Sequence, residues 1–160
     1  MADPTERVVE QRGLWYEELE IGTIYRHSPG RTISEADNTL FSAMTMNQQA
    51  LHVDDVFATQ QEFRGRLVNS TMTLAIVVGL SVNQLTQGTL VANLGFDQVR
   101  FPAPVRHGDT VRAETLIVAK RESKSRPAQG VVTMQHLGYN QHNEVVVDAT
   151  RTVLMQMAPQ

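Results

Sequence analysis

Five histidines are the side chains of this 160-residue sequence best suited to moving protons near neutral pH. His52 ends a polar, irregular stretch from Met46 that also carries Asn47 and Gln49, and Asp54 follows two residues later. A histidine there suits general acid–base work, and an amide cannot take a proton as a carboxylate does. Without further context His52 would more often be an ordinary loop histidine, and Asp54 simply the cap of a following helix. A second chemical feature is Asn69-Ser70-Thr71, which offers capping side chains and free backbone N–H groups at the head of an apolar run. Such an end favours developing negative charge, or does no more than cap. His107 beside Gly108 reads as a turn residue, and His136 and His142 do not cluster like metal ligands. The absence of cysteine removes thiolate nucleophiles, disulfides and cysteine-ligated metals together.

These residues need elements to hold them. The stretch Val68–Leu85 is apolar on every helical face, and no charge falls between Arg66 and Asp97, which predicts a helix buried all round. Its polar residues are too many for a membrane span. Ahead of it, Thr23–His27 can form a strand, and Pro29-Gly30 marks a turn. Ser34 with Asp37 resembles a capping box, opening a short helix whose stripe is Leu40, Phe41 and Met44. Met46–His52 reads as a loop, Asp54 as the cap of a second short helix, and Gly88 as the left-handed stop of the long one. Four segments rich in Val, Thr, Leu and Met follow at Leu90–Phe101, Thr110–Lys120, Val131–Asn140 and Val145–Gln156, the mark of strands in an antiparallel sheet. The expectation is one α+β domain over residues 14–160, after a loose arm at 1–13. A net charge of −3 argues against nucleic acid as a partner, and no signal peptide or membrane segment is visible, so a soluble cytoplasmic protein is expected.

The run Phe41–Asp54, continuing to Phe57-Ala58, resembles the signature of the MaoC-like (R)-specific enoyl-CoA hydratases, roughly Thr-Gly-Asp-x-Asn-Pro-Leu-His-x-Asp with Phe-Ala after it. Thr45, Leu51, His52, Asp54, Phe57 and Ala58 match that pattern. Further likeness lies in Trp15–Gly22, Arg31–Asp37 and Phe101–Thr110, so it runs through most of the chain from about residue 14. Departures are Asn47 for the family's catalytic Asp, Gln49 for its Asn, Ala50 for its Pro, Met46 for its Gly, and Asn69-Ser70 for His-Gly. The resemblance implies a hot-dog fold, a curled antiparallel sheet around one long helix. It also implies reversible addition of water to a 2-enoyl-CoA, and the Thr45-Met46-Asn47 run suits a branch acting on branched dicarboxylic thioesters such as mesaconyl- or itaconyl-CoA.

On that resemblance His52 moves the proton, Asn47 holds the water, and the Ser70 N–H takes the enolate oxygen, while Gln49, Asn69, Thr71, Arg64 and Arg66 are candidates for binding substrate. Each arginine is otherwise a solvated or ion-paired surface residue. No metal or redox cofactor is implied, since CoA is part of the substrate. A homodimer or higher homo-oligomer is expected, because a lone protomer leaves sheet edges open. The competing expectations are a hot-dog acyl-CoA thioesterase and a non-catalytic acyl-CoA-binding subunit.

Overall fold

The computed structural model describes residues 7–159. Of the expected arm, residues 1–6 lie outside the described residues, and residues 7–12 carry no regular structure. Gly13 is already docked, its N–H donating to Gln87 O at 2.7 Å, and a Cβ there would meet the Thr86 backbone at 2.5 Å. A short 3-10 turn, Tyr16–Glu18, leads to β1 (Ile24–Thr32). Three short helices follow: α1 (Glu35–Met44), α2 (Ala50–Val53) and α3 (Asp55–Gln60). The long helix α4 (Ser70–Leu85) comes next, and the chain closes with β2 (Leu90–Arg100), β3 (Thr110–Glu122), β4 (Gln129–Tyr139) and β5 (Val145–Gln156). The strands form one antiparallel, unclosed sheet in the order β1-β3-β4-β5-β2, with α4 packed across β1, β3, β4 and β5.

Local signals set most boundaries. Ser34 and Asp37 cap each other reciprocally, with Asp37 N–H donating to Ser34 Oγ at 3.1 Å and Ser34 N–H donating to Asp37 Oδ2 at 2.8 Å. Asp54 Oδ1 caps α3 by accepting from Phe57 N at 3.0 Å, and Gly88 ends the α4 region at φ +73°. Three expectations need correction. Pro29-Gly30 does not end β1, because β1 is an edge strand where the missing proline N–H breaks no ladder, and a register shift between His27 and Arg31 absorbs the irregularity. On α1 the inward residues are Asn38 and Ser42, while Leu40 and Met44 point outward and Phe41 is half-buried. The all-round burial expected for α4 also fails: Met72, Thr73, Val77, Ser81 and Leu85 face inward, whereas Ala75, Gly79 and Asn83 are exposed in the single chain.

The core on the helix side of the sheet is split. One apolar cluster gathers Ile33, Val68, Met72, Val77, Val105 and Val147, and the other Tyr16, Leu19, Leu85, Ile117, Met134 and Val153. Between them runs a hydrogen-bonded row. Arg151 Nε–H donates to His136 Nε2 at 2.9 Å, so His136 carries its proton on Nδ1 and donates to Thr115 Oγ1 at 2.8 Å. The Thr115 hydroxyl donates to His27 Nε2 at 2.8 Å, which leaves His27 Nδ1–H for Gln84 Oε1 at 2.7 Å. His136 is wholly buried, and burial, with the Arg151 charge second, pushes its pKa down to about 3. Burial likewise lowers His27.

This row sets a pH dependence. An unfolded histidine titrates near about 6.5. Between that value and about 3 the unfolded chain binds a proton that folded His136 refuses. Stability is therefore expected to fall as pH drops through this window, by about 1.4 kcal/mol per pH unit for one such group. Denaturant midpoints measured from pH 7 to 4 should show that slope in the native chain and a shallower one in His136→Gln. Equal slopes would assign the acid sensitivity to other groups.

Candidate active site

Three segments meet at a cavity of about 340 Å³. The helix α2 supplies Leu51 and His52, the entry to α4 supplies Leu67, Val68, Ser70 and Thr73, and the loop after β2 supplies Phe101–Val105. Phe63 and Val146 complete a wall that is apolar apart from His52, Ser70 and Thr73. The expected loop at Met46–His52 thus ends in a helical turn, and that turn aims His52. Two backbone bonds bind the segments together, Leu67 N–H to Leu51 O at 3.1 Å and Val68 N–H to Val105 O at 2.8 Å.

His52 is half-buried, and its Nδ1 lies 3.0 Å from Leu67 O. A carbonyl only accepts, so Nδ1 bears hydrogen and Nε2 is the nitrogen left for chemistry. Ser70 is the first residue of α4 and lines the same cavity. Its N–H finds no partner among the described residues, while the neighbouring N–H groups are used. Asn69 Oδ1 accepts from both Thr71 N at 3.1 Å and Thr71 Oγ1 at 2.6 Å, and Asn69 N–H donates to Asn38 Oδ1 at 2.8 Å. An imidazole with its Nε2 free and an unpaired helix-terminal donor therefore share one apolar hollow, an arrangement able to move a proton and to hold a developing oxyanion beside it.

The remaining sequence candidates are placed otherwise. Asn47 stands on an exposed loop outside the cavity wall, its Oδ1 accepting from Gln49 N at 3.4 Å. Preceding it, Met46 takes a left-handed conformation at φ 56°, a region that glycine adopts without steric cost. Gln49 caps α2 through Ala50 N at 3.0 Å, and Thr71 spends its polar atoms on Asn69. Arg66 is not free for substrate: its guanidinium bridges Glu35 and Asp55, the latter at 2.7 Å, and clamps α1 to α3. Arg64 is exposed and follows Phe63 of the wall. Asp54 serves as a cap.

Asn38, absent from the sequence candidates, is fully buried at the junction of the segments. His107 lies in a turn, as expected, and its Nε2 also lies 3.1 Å from Asn38 Nδ2; burial, then the Arg66 charge, lowers its pKa. The sequence signal for Asn38 is its i, i+4 pairing with Ser42, a polar face on the side of α1 away from Leu40 and Met44. A larger hollow of about 740 Å³ lies between β1 and α4, but its arginines are already paired, Arg26 with Glu114 at 3.0 Å and Arg31 with Asp37 at 2.8 Å. Among the described residues no three His, Asp or Glu side chains gather as a metal site, and no helix is long and apolar enough to cross a membrane.

Comparison with known proteins bears on the family and the fold. The family model described as "MaoC like domain" matches residues 17–140. The sequence is 32% identical over 144 residues to mesaconyl-CoA hydratase of Cereibacter sphaeroides, a match spanning 90% of this chain and 41% of that protein. It is 30% identical to beta-methylmalyl-CoA dehydratase of Chloroflexus aurantiacus, over 90% of this chain and 40% of that one. The chain thus spans about two fifths of the length of these curated relatives. Among solved structures, the unliganded R-hydratase PhaJ1 of Pseudomonas aeruginosa superposes with a TM-score of 0.74 at 26% identity, over 91% of this chain and 88% of that one.

Proposed function

The chain belongs to the MaoC-like domain family, a hot-dog fold, and from that premise we propose that it reversibly adds water to a 2-enoyl-CoA. The observation that carries this reading is the placement of His52 and Ser70 on one cavity, with His52 Nδ1 held by Leu67 O. In the addition, His52 Nε2 takes a proton from water as the water oxygen bonds to Cβ. The double-bond electrons move to the thioester oxygen, where the Ser70 N–H stabilises the enolate. The imidazolium then returns the proton to Cα on the same face, which gives syn addition and restores the neutral base. No metal or redox cofactor enters these steps. With Asn47 outside the cavity wall, His52 carries both proton movements in the protomer.

The relatives' printed activities, on mesaconyl-CoA and beta-methylmalyl-CoA, support a short, branched dicarboxylic acyl group such as mesaconyl, and itaconyl is the isomer to compare with it. The cavity wall holds no cation among the described residues, so the extra carboxylate is assigned to the rim, where Arg64 is exposed beside Phe63. Crotonyl-, mesaconyl- and itaconyl-CoA, followed by enoyl absorbance with a thiol reagent alongside, test the whole reading. Loss of enoyl absorbance without free thiol is expected, fastest with a dicarboxylic substrate. Hydration of crotonyl-CoA alone removes the dicarboxylic assignment, thiol release replaces the hydratase by a thioesterase, and no turnover leaves an acyl-CoA-binding subunit.

The reading includes a homodimer in the cytoplasm, the compartment to be checked by cell fractionation. β2 is an open sheet edge that exposes Val91, Leu94, Phe96 and Val99, a row of apolar residues that pairing with a second copy would cover. Sedimentation at micromolar concentration is expected to give a dimer or larger, and a monomer would remove this part.

A further inference from the structure

We propose that Asn38 is the positioning residue that locks His52, the head of α4 and the 101–107 loop into one register. Its side chain touches all three segments. Nδ2 lies 3.1 Å from the carbonyl of His52 itself, 3.1 Å from His107 Nε2 and 3.4 Å from Leu67 O. On the other side, Oδ1 accepts the Asn69 N–H at 2.8 Å. Carbonyls on one flank and an N–H on the other allow only this orientation of the amide. The two hydrogens of Nδ2 go to the two shorter contacts. That requires an unprotonated His107 Nε2 and leaves Leu67 O mainly to the His52 ring.

These partners lie 14, 31 and 69 residues away from Asn38 in sequence, and none of them belongs to a strand. A helix residue thereby spans segments that backbone bonds join only at Leu67–Leu51 and Val68–Val105. Asn38 touches neither the cavity nor a substrate placed in it. It acts through the His52 backbone, which sets where the imidazole stands, and through Asn69, whose neighbour Ser70 presents the free N–H. A shift of about 1 Å between base and donor costs on the order of 100-fold in rate. The geometry is general to any proton transfer at this site, but its consequence for turnover rests on the hydratase reading.

The test compares Asn38→Ala and Asn38→Asp with wild type in the full chain. The aspartate keeps an acceptor for Asn69 N–H but turns an oxygen toward the His52 and Leu67 carbonyls. Both variants are expected to lower kcat about 10- to 100-fold with KM changed less than about threefold. Nitrogen-15 NMR of the His52 ring should show an Nδ1–H protected by Leu67 O in wild type and exchanging faster in the variants. A kcat within about threefold of wild type in a folded variant, or an unchanged His52 signal, overturns the proposal whatever happens to thermal stability. Where Asn38→Ala and Asn38→Asp do not fold, Asn38→Ser is measured by the same criteria. Where wild type hydrates no enoyl-CoA, the function fails separately and the His52 signal alone decides the role of Asn38.

Discussion

Replacing His52 with alanine is expected to lower hydration of a 2-enoyl-CoA by about 10²- to 10⁴-fold, the usual worth of a group that moves the proton in the transition state. In the proposed mechanism the imidazole serves twice. It removes the water proton and returns it to Cα, and no carboxylate lines the cavity to take over either step. The structural cost should be small, for His52 is only half-buried and sits in a four-residue helical turn that tolerates alanine. Its ring makes one bond, to Leu67 O. The measurement is kcat/KM with the best substrate of the panel, together with a thermal melt. A variant keeping more than about a tenth of the activity would show that another group does the acid–base work.

The second large effect is expected at Ser70, where the relevant group is a backbone N–H. Proline removes that hydrogen and nothing else of consequence. Ser70 is the first helical residue, the position proline favours, and Asn69 at φ −57° and ψ 123° already has the conformation that a residue before proline requires. Since the Ser70 N–H has no partner among the described residues, no protein hydrogen bond is lost. Ser70→Pro should therefore keep its melting temperature while kcat falls about 10²- to 10³-fold, as removal of one oxyanion donor does elsewhere. Ser70→Ala, which keeps the N–H, should stay near wild type. Turnover by the proline variant within about threefold of wild type would place the enolate oxygen against another donor.

Both candidates are legible in the sequence because local chemistry marks them. His52 closes a recognisable run, and Asn69-Ser70-Thr71 heads a helix whose capping atoms lie within two residues. The strands were legible for a related reason: alternation along Val145–Gln156 matches the observed β5, and the neighbouring strands differ by one or two residues at their ends. What failed was whatever depends on distant partners. Arg66 reads as a free cation until folding brings Glu35 and Asp55 to it from two other helices. Leu40 and Met44 look like a core face, yet α1 turns Asn38 inward because its amide satisfies groups from three remote segments. The composition of α4 reads as apolar on every face, yet one sheet covers only one side of a helix. Asn47 shows the limit of a motif: its place in the run was recognised, while its orientation followed from the exposed loop around it.

The buried row from Arg151 to Gln84 also bears on how this protein could evolve. It separates the valine-rich compartment, whose Val68, Val105 and Val146 form part of the cavity wall, from the compartment around Tyr16, Leu85 and Met155. Side chains on opposite banks share no packing surface, so substitutions on the two banks should act on stability nearly independently. Pocket-reshaping changes could then accumulate on one bank while the other keeps the scaffold standing. The row itself is the toll on that freedom: its hydrogen bonds run in one direction, and no member can be replaced by an apolar side chain without stranding the next. Changes in the shape of the pocket are thereby channelled to one half of the core, with the polar seam as their boundary.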